Sequence, residues 1–217
     1  MTVERLTLAQ RGARLTTTLV VAQPRVWRLL RGPFRRYFTR LAPRWDAIVG
    51  PGHLDALAAA LVELAPPRRA LDVGTGTGAA AFLLAERFPE ADVVGVDVSP
   101  AMVAAAAART RPELAARVRF READAAELPV SSESFDLVVL ANMIPFFDEL
   151  ARVLTARGTL LVCFSEGAGT PIWVPPERLR AELERRGFMF FAGFAAGDAT
   201  CLLARRSVGG AARPAEC

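Results

Sequence analysis

The stretch Ala70-Leu71-Asp72-Val73-Gly74-Thr75-Gly76-Thr77-Gly78, followed by Val93-Val94-Gly95-Val96-Asp97, carries most of the structural information in this 217-residue chain. It predicts a buried strand, a glycine-rich turn, a helix and a second buried strand that ends in an acid. Glycines in such a turn allow positive φ and a close approach of the backbone to a ligand. The helix directs its N-terminal N–H groups at the same point, and the acid can accept hydrogen bonds from ribose hydroxyls. The pattern therefore predicts a site for a cofactor that contains a nucleoside.

Two classes of cofactor are compatible with this pattern. Gly74-x-Gly76-x-x-Ala79 satisfies a loose dinucleotide fingerprint, so a nicotinamide dinucleotide is one candidate. Asp72 favours S-adenosylmethionine (SAM), because a carboxylate at the turn would repel a pyrophosphate but can bind an ammonium group. Asp124 lies where a third strand should end and is suited to the exocyclic amine of adenine. About 70 residues precede the motif, whereas dinucleotide-binding domains often begin with it.

These residues resemble the class I SAM-dependent methyltransferase family, and in particular its small-molecule type, similar to the quinone and menaquinone C-methyltransferases. The resemblance spans roughly Ala47 to Arg205, and it rests on the Leu71–Gly78 turn, Asp97, Asp124-Ala125, Ser134–Val139 and Gly158–Val162. It implies SAM as the cofactor and methyl transfer to a small, apolar or aromatic acceptor such as a lipid or quinone precursor. A non-catalytic SAM-binding protein is the alternative. An NAD-dependent oxidoreductase is a weaker one, because the chain has no lysine for a Tyr-x-x-x-Lys pair.

The rest of the hydrophobic pattern predicts an α/β fold. Near-continuous apolar runs joined by short helices are typical of a parallel sheet that is covered on both faces. Strands at Phe188–Gly193 and Ala199–Ala204, with a turn at Gly197-Asp198, predict a terminal hairpin. This arrangement resembles the Rossmann-like, doubly wound sheet of the family, with seven strands in the order 3-2-1-4-5-7-6 and the last strand antiparallel. The five earlier strands are expected at Ala70–Val73, Asp92–Asp97, Val118–Glu122, Phe135–Leu140 and Thr159–Phe164.

Composition divides the chain into three segments. Residues 1–45 hold ten arginines against one acid, a net charge of +9, which predicts a basic N-terminal helical extension. Residues 46–206 form the predicted SAM-binding domain, and residues 207–217 are expected to be a disordered tail. Within the extension, Leu6–Val21 has no firm period, so helix and loop both remain open. Gly32-Pro33 is expected to split the apolar stripe of Arg25–Trp45 into two short helices.

The extension has two compatible interpretations. It can be a flap that packs its apolar stripe on the domain, or a surface that meets anionic lipid or an acidic partner. It shows no recognised nucleic-acid-binding motif, so a small-molecule acceptor is expected and nucleic acid is not. Without a long apolar run or a signal-peptide pattern, the protein is expected to be cytoplasmic, with peripheral membrane contact through the extension. Cys163, Cys201 and Cys217 lack motif spacing and are expected to be free thiols, and no metal site is expected.

The cofactor site is expected beyond the carboxyl ends of the strands, at the switch in strand order. There Asp72 would orient the amino-acid part of SAM, Asp97 the ribose, and Asp124 the adenine edge, with helix capping as the alternative role for Asp124. The single histidine, His53, lies before strand one, and methyl transfer from a sulfonium depends mainly on positioning, so no catalytic base is assigned. The predicted cofactor-binding residues are Tyr37, Asp72, Gly74, Thr75, Gly76, Thr77, Gly78, Asp97, Val98, Met102, Asp124, Ala125, Asn142 and Met143.

The loop at the end of strand four is Ala141-Asn142-Met143-Ile144-Pro145-Phe146-Phe147, and in the family it borders the sulfonium of SAM and the acceptor. Pro171-Ile172-Trp173-Val174 after strand five adds further apolar residues. Apolar residues at the mouth of a site indicate an apolar acceptor or a lid that excludes water. Ordinary packing of short loops under the extension explains them equally well.

Overall fold

The computed structural model describes residues 7–206, so the tail predicted at residues 207–217 lies outside the described part of the chain. One seven-stranded sheet has the order β3-β2-β1-β4-β5-β7-β6. The strands are β1 (Arg69–Val73), β2 (Asp92–Asp97), β3 (Val118–Glu122), β4 (Phe135–Ala141), β5 (Leu154–Phe164), β6 (Phe188–Ala196) and β7 (Ala199–Arg206). β7 is antiparallel to β5 and β6, and the pairs among β1 to β5 are parallel. The predicted fold, strand order and antiparallel last strand are confirmed.

Helices cover both faces of this sheet. They are α1 (Leu8–Ala22), α2 (Trp27–Leu41), α3 (Trp45–Val49), α4 (Asp55–Val62), α5 (Ala79–Arg87), α6 (Pro100–Ala108), α7 (Phe147–Val153) and α8 (Pro176–Glu184). Successive strand residues point to opposite faces, so Ala70 packs in the cluster under α4 and α5 while Leu71 packs in the cluster that includes α7 and α8. Trp27 of α2 is buried in the second cluster, so the basic extension shares a core with the sheet.

The extension is more helical than the sequence predicts. The undecided segment forms α1, which begins with a capping box between Thr7 and Gln10. The expected break at Gly32-Pro33 is wrong, because α2 continues through Pro33. Proline removes one intrahelical hydrogen bond, but Trp27 and Phe34 pack against the core on either side of it. Tertiary packing of the apolar stripe therefore outweighs the local break.

The expectation of free thiols is also wrong for two of the three cysteines. The structure joins Cys163 on β5 to Cys201 on β7 in a disulfide. These residues lie directly opposite each other in the antiparallel register, with their Cα atoms 4.0 Å apart. They are 38 residues apart in sequence, so only the strand pairing brings them together. Cys217 lies outside the described residues.

Candidate active site

The glycine-rich turn after β1 adopts the backbone conformation that its sequence predicts. Gly74, Gly76 and Gly78 have φ values of 76°, 54° and 92°, which side-chain-bearing residues rarely adopt. The backbone N–H groups of Gly74 and Thr75 both donate to the carbonyl oxygen of Val96 at 2.9 Å, which ties the turn to the end of β2. The turn therefore presents backbone, rather than side chains, to the space above the strand ends.

Asp72 lies at the end of β1 beneath this turn and is 1% exposed. Its Oδ2 accepts a hydrogen bond from the Thr75 hydroxyl at 2.6 Å, while its Oδ1 is buried without a hydrogen-bond partner among residues 7–206. Burial raises the pKa of the Asp72 carboxyl to about 7, the hydroxyl of Thr75 and the backbone N–H of Ala81 lower it in part, and the nearby charge of Asp97 raises it. A buried carboxylate with a free oxygen is stabilised by a cationic ligand, as the predicted ammonium contact requires.

Asp97 ends β2 and has a different environment. Its Oδ2 accepts from the backbone N–H of Gly76 at 3.0 Å and its Oδ1 from that of Ser99 at 2.9 Å. Burial raises the pKa of Asp97, and these backbone hydrogen bonds lower it in part. Because a carboxylate oxygen accepts more than one hydrogen bond, ribose hydroxyls can still donate to Asp97. Asp97 thus holds the turn and remains available to a ligand.

Asp124, after β3, is bound by the extension. Its Oδ1 accepts from the indole Nε1 of Trp27 at 2.7 Å and from the backbone N–H of Ala126 at 3.0 Å. Its Oδ2 lies 3.5 Å from the guanidinium of Arg31. The alternative role of helix capping is wrong, because no helix lies between β3 and β4, and the contact with Ala126 belongs to a turn. The hydrogen bond from Trp27 could not be predicted from the sequence. The contact of Asp124 with adenine stays a prediction.

The loop after β4 packs directly on the glycine turn. A Cβ atom on Gly74 would lie 2.9 Å from Sδ of Met143, so Met143 covers that glycine. Asn142 has a φ of 54°, and its side chain exchanges two hydrogen bonds with Ser165, at 3.0 Å from Nδ2 to Oγ and 2.9 Å from the Ser165 N–H to Oδ1. Asn142 therefore joins the ends of β4 and β5, and Ser165 is a partner that the sequence analysis missed.

The extension closes over the opposite side of the turn. The indole Nε1 of Trp45 would lie 2.8 Å from a Cβ on Gly76. Asp46 accepts a hydrogen bond from the buried Thr77 hydroxyl at 2.6 Å and pairs with Arg109 at the end of α6. Tyr37 lies on the outer side of α2 with 59% of its surface exposed. In this structure Trp45 covers the turn, and the cofactor contact of Tyr37 stays a prediction.

The remaining predicted residues line the β2–α6 side or the core. Met102 is buried in the first turn of α6, where its N–H donates to the Ser99 hydroxyl at 3.3 Å. Val98 is half-buried beside it, and Ala125 is buried with Leu128.

The two apolar loops differ from each other in burial. Phe146 and its neighbours Ile144 and Phe147 are core residues, whereas Ile172 and Trp173 are only partly buried.

The loop after β5 is held by α1 through Arg14. The guanidinium donates to the carbonyl oxygens of Ala168 and Thr170 at 2.7 Å and of Pro171 at 3.3 Å. It also lies over the ring of Trp173, 5.2 Å from the centroid. These contacts span more than 150 residues of sequence, so no local pattern indicates them.

The donor and acceptor set fits SAM. The free oxygen of Asp72 suits an ammonium group, the turn allows close approach, and Asp97 lies where a ribose can donate to it. In residues 7–206 no three His, Cys, Asp or Glu side chains are grouped so that they could hold a metal ion.

Comparisons with known proteins agree with this geometry. Residues 70–161 match the model of a methyltransferase domain. The demethylmenaquinone methyltransferase of Thermus thermophilus is 39% identical over 141 residues, which cover 58% of this chain and 62% of that protein. The chain thus spans about three fifths of the length of the curated relatives that it matches.

Solved structures share the fold at low identity. A SAM-dependent methyltransferase from Aquifex aeolicus aligns over 76% of this chain and 97% of its own, with a TM-score of 0.63 and 17% identity. The [4+2]-cyclase SpnF aligns over 81% and 96%, with a TM-score of 0.65 and 20% identity. The fold alone therefore does not specify the reaction. Together, the strand order and the match over residues 70–161 show that the chain contains a methyltransferase domain with the fold of SAM-dependent methyltransferases.

Proposed function

We propose that this protein transfers the methyl group of SAM to a small, apolar or aromatic acceptor. The observation that carries the proposal is the buried Asp72 carboxylate, whose Oδ1 has no hydrogen-bond partner in the described chain. A buried charge is costly unless it is paired, and the ammonium of an amino-acid moiety would pair it. A dinucleotide would bring a phosphate to the same turn and increase the repulsion.

The chain's own residues would bind and position the cofactor. Asp72 would hold the ammonium and Asp97 the ribose hydroxyls, while the glycine turn lets the backbone approach. SAM, when bound, supplies a methyl group on a sulfonium, which is already an activated donor. Alignment of donor and acceptor can then provide most of the rate enhancement. Trp45 and Phe38, whose ring centroids are 5.6 Å apart, would exclude water from the covered turn.

The acceptor proposed here is lipophilic. Partly buried Ile172 and Trp173 lie on the loop after β5, which Arg14 holds beneath α1. Such surfaces favour apolar ligands with few polar contacts. The relative named demethylmenaquinone methyltransferase supports a quinone precursor as the acceptor.

The outer side of the extension supports membrane contact. Leu8, Leu15 and Leu19 follow helical spacing on α1 and are 84%, 71% and 45% exposed. Leu29 of α2 is 79% exposed and shares its face with Tyr37. Several arginines of the basic extension form no ion pair within residues 7–206. They are Arg25, Arg28, Arg36, Arg40 and Arg44.

Exposed leucines among unpaired arginines suit the surface of an anionic bilayer. Because Trp27 of the same helix binds Asp124, α2 lies beside the predicted cofactor site. We therefore propose that the protein is cytoplasmic and peripheral at the membrane. No described helix is both long and apolar enough to span a bilayer.

Calorimetric titration with SAM, S-adenosylhomocysteine and NADH tests the cofactor. We expect micromolar binding of the first two, lost in Asp97→Asn and retained in Asp92→Asn, a matched control at the exposed start of the same strand. Binding of NADH instead, or of none, would contradict the proposal.

Transfer of radiolabelled methyl from SAM to a panel of hydroquinones, phenols and carboxylic acids tests the reaction. Label is expected in the lipophilic hydroquinones or phenols. SAM binding without transfer to any acceptor would favour a non-catalytic SAM-binding protein. Flotation with vesicles that contain anionic phosphatidylglycerol tests the membrane contact separately, with uncharged phosphatidylcholine vesicles as the control.

A further inference from the structure

The two edges of the sheet differ in length and chemistry. β3, at one edge, has five residues, three of them charged: Arg119, Arg121 and Glu122. β6, at the other edge, has nine residues, Phe188–Ala196, with no charged side chain and no proline. Natural proteins protect sheet edges with short strands, charges or proline, because an open edge is a template for another strand. β3 is short and charged and is therefore protected. β6 is longer and has neither charged residues nor proline.

β6 also exposes large apolar side chains. Met189 is 71% and Phe190 is 51% exposed. The register of β6 with β7 shifts between Phe188 and Phe190, so Met189 lies in a bulge. From Phe190 to Ala196 the pairing with β7 is regular, and no other strand among residues 7–206 pairs with the outer edge of β6. Glycines at positive φ, Gly187 and Gly197, bound the strand at both ends.

We propose that β6 pairs antiparallel with β6 of a second copy of this chain, which joins two seven-stranded sheets into one. A twofold axis places the same strand on both sides, so the contact is self-complementary and closes at two copies. Because β6 carries no charge, the pairing sets no like charges opposite each other and desolvates none. A charged partner strand would gain no ion pair from β6. The composition of the edge therefore favours its own copy over a partner rich in charge.

The edge also offers aromatic contacts between copies. Arg205 lies over the ring of Phe190, 5.2 Å from the centroid, and half of the Phe190 surface still faces solvent. Cross-strand aromatic pairs stabilise antiparallel strands. The proposed contact is small by the standards of permanent dimers, so a concentration-dependent dimer with a dissociation constant on the order of micromolar is expected.

The proposed dimer leaves the site and the basic face free. α2 contacts the β3 side of the molecule, where Arg35 pairs with Glu122 at 2.8 Å. β6 lies at the far edge of the sheet. Dimerisation is thus independent of the proposed methyl transfer and would present the basic faces of two copies to one membrane.

Sedimentation velocity of the full chain over a concentration series tests the proposal. The expected mass rises toward twice 23.4 kDa as concentration increases. In Phe190→Lys, dimerisation is expected to weaken at least about tenfold, because each copy would place a charge in the otherwise uncharged edge. Leu29→Lys, an equally drastic change at an exposed leucine of α2, is expected to dimerise as the wild type does. Circular dichroism checks that both variants fold, and Met189→Lys replaces Phe190→Lys if the latter does not.

Hydrogen exchange provides a second readout. Backbone N–H groups of β6 should exchange more slowly as the wild type dimerises, while those of β3 should not change. A monomer at concentrations on the order of 100 µM would overturn the proposal. So would a dimer that survives the β6 substitutions, a dimer lost in Leu29→Lys, or an open series of larger assemblies.

Discussion

The glycine-rich turn and the helical extension meet at one site but are held together in different ways. The turn depends on backbone contacts between neighbouring strands, such as those of Gly74 and Thr75 with Val96. The extension depends on side chains that reach distant partners, such as Trp27 with Asp124 and Arg14 with the loop after β5. The comparison indicates that the turn determines which cofactor binds, whereas the extension determines how the site is covered. Substitutions in the two regions should therefore separate cofactor binding from stability and coverage.

The largest effect is expected from Trp27→Ala in the extension. The indole is 3% exposed, stacks edge-on against Phe146 at 5.4 Å and donates to Asp124. Its loss should lower the free energy of unfolding by about 3–5 kcal/mol, from a cavity in the core and the lost hydrogen bond to Asp124. Urea unfolding of the wild type and the variant measures this change in the free energy of unfolding. Leu29→Ala, at an exposed position of the same helix, is the control and should change stability by about 0.5 kcal/mol or less. Equal losses in both variants would show that Trp27 is no anchor.

Asp72→Asn should have the largest effect on the turn. Asparagine keeps the shape but removes the charge that faces the ammonium, so SAM affinity should fall by about 100-fold, as expected for a lost hydrogen bond between charged groups. Without ligand, the variant should be more stable than the wild type near pH 8, because Asp72 is mostly ionised in the wild type at that pH, whereas asparagine carries no charge to bury. Calorimetry and urea unfolding measure the two quantities. Unchanged SAM affinity would contradict the assignment of Asp72.

The pH dependence of the wild type should report the same carboxyl. The folded pKa of Asp72 is about 7, above the value of 3.8 for an exposed carboxyl. The folded state therefore binds more protons than the unfolded state between these values, and the stability of the unliganded protein should fall as pH rises through this window.

SAM affinity should change in the opposite direction, because the ammonium binds the ionised carboxyl. Below about pH 7, SAM affinity should increase close to tenfold for each unit by which the pH rises. Titrations at several pH values measure this, and Asp72→Asn should flatten the profile. A pH-independent affinity in the wild type would show that Asp72 is ionised throughout.

The smallest effect is expected at the junction of the two regions. Thr77→Val removes the hydrogen bond from the Thr77 hydroxyl to Asp46 while keeping the shape of the side chain. Stability should fall by about 0.5–1.5 kcal/mol. If this junction holds the extension over the turn, hydrogen exchange in α3 should also increase. Exchange in β1 should stay unchanged, and an equal increase in β1 would indicate general destabilisation instead.

Much of the fold could be predicted because its signals are local. The apolar run before Gly74, the acid at Asp97 and the hairpin turn at Gly197-Asp198 each depend on neighbouring residues, and each matches the structure. The predicted helix break at Pro33 was wrong because the packing of Trp27 and Phe34 against the core outweighs the local effect of proline. That packing cannot be predicted from the residues next to Pro33. The disulfide was missed for a related reason, since only the register of β5 and β7 brings Cys163 to Cys201.

Local sequence was sufficient for the strands, the turn and a cofactor that contains a nucleoside, because glycine conformation and strand periodicity follow from chemistry within a few residues. The strand order was predicted from the resemblance to a known family. The covering of the site was decided in three dimensions. Asp124 carries the same carboxyl whether it binds adenine or Trp27, and the partner that reaches it first depends on how α2 packs. The unpaired oxygen of Asp72 is likewise a property of burial rather than of residue type. Contacts between residues far apart in sequence arise only when the packed core brings them together.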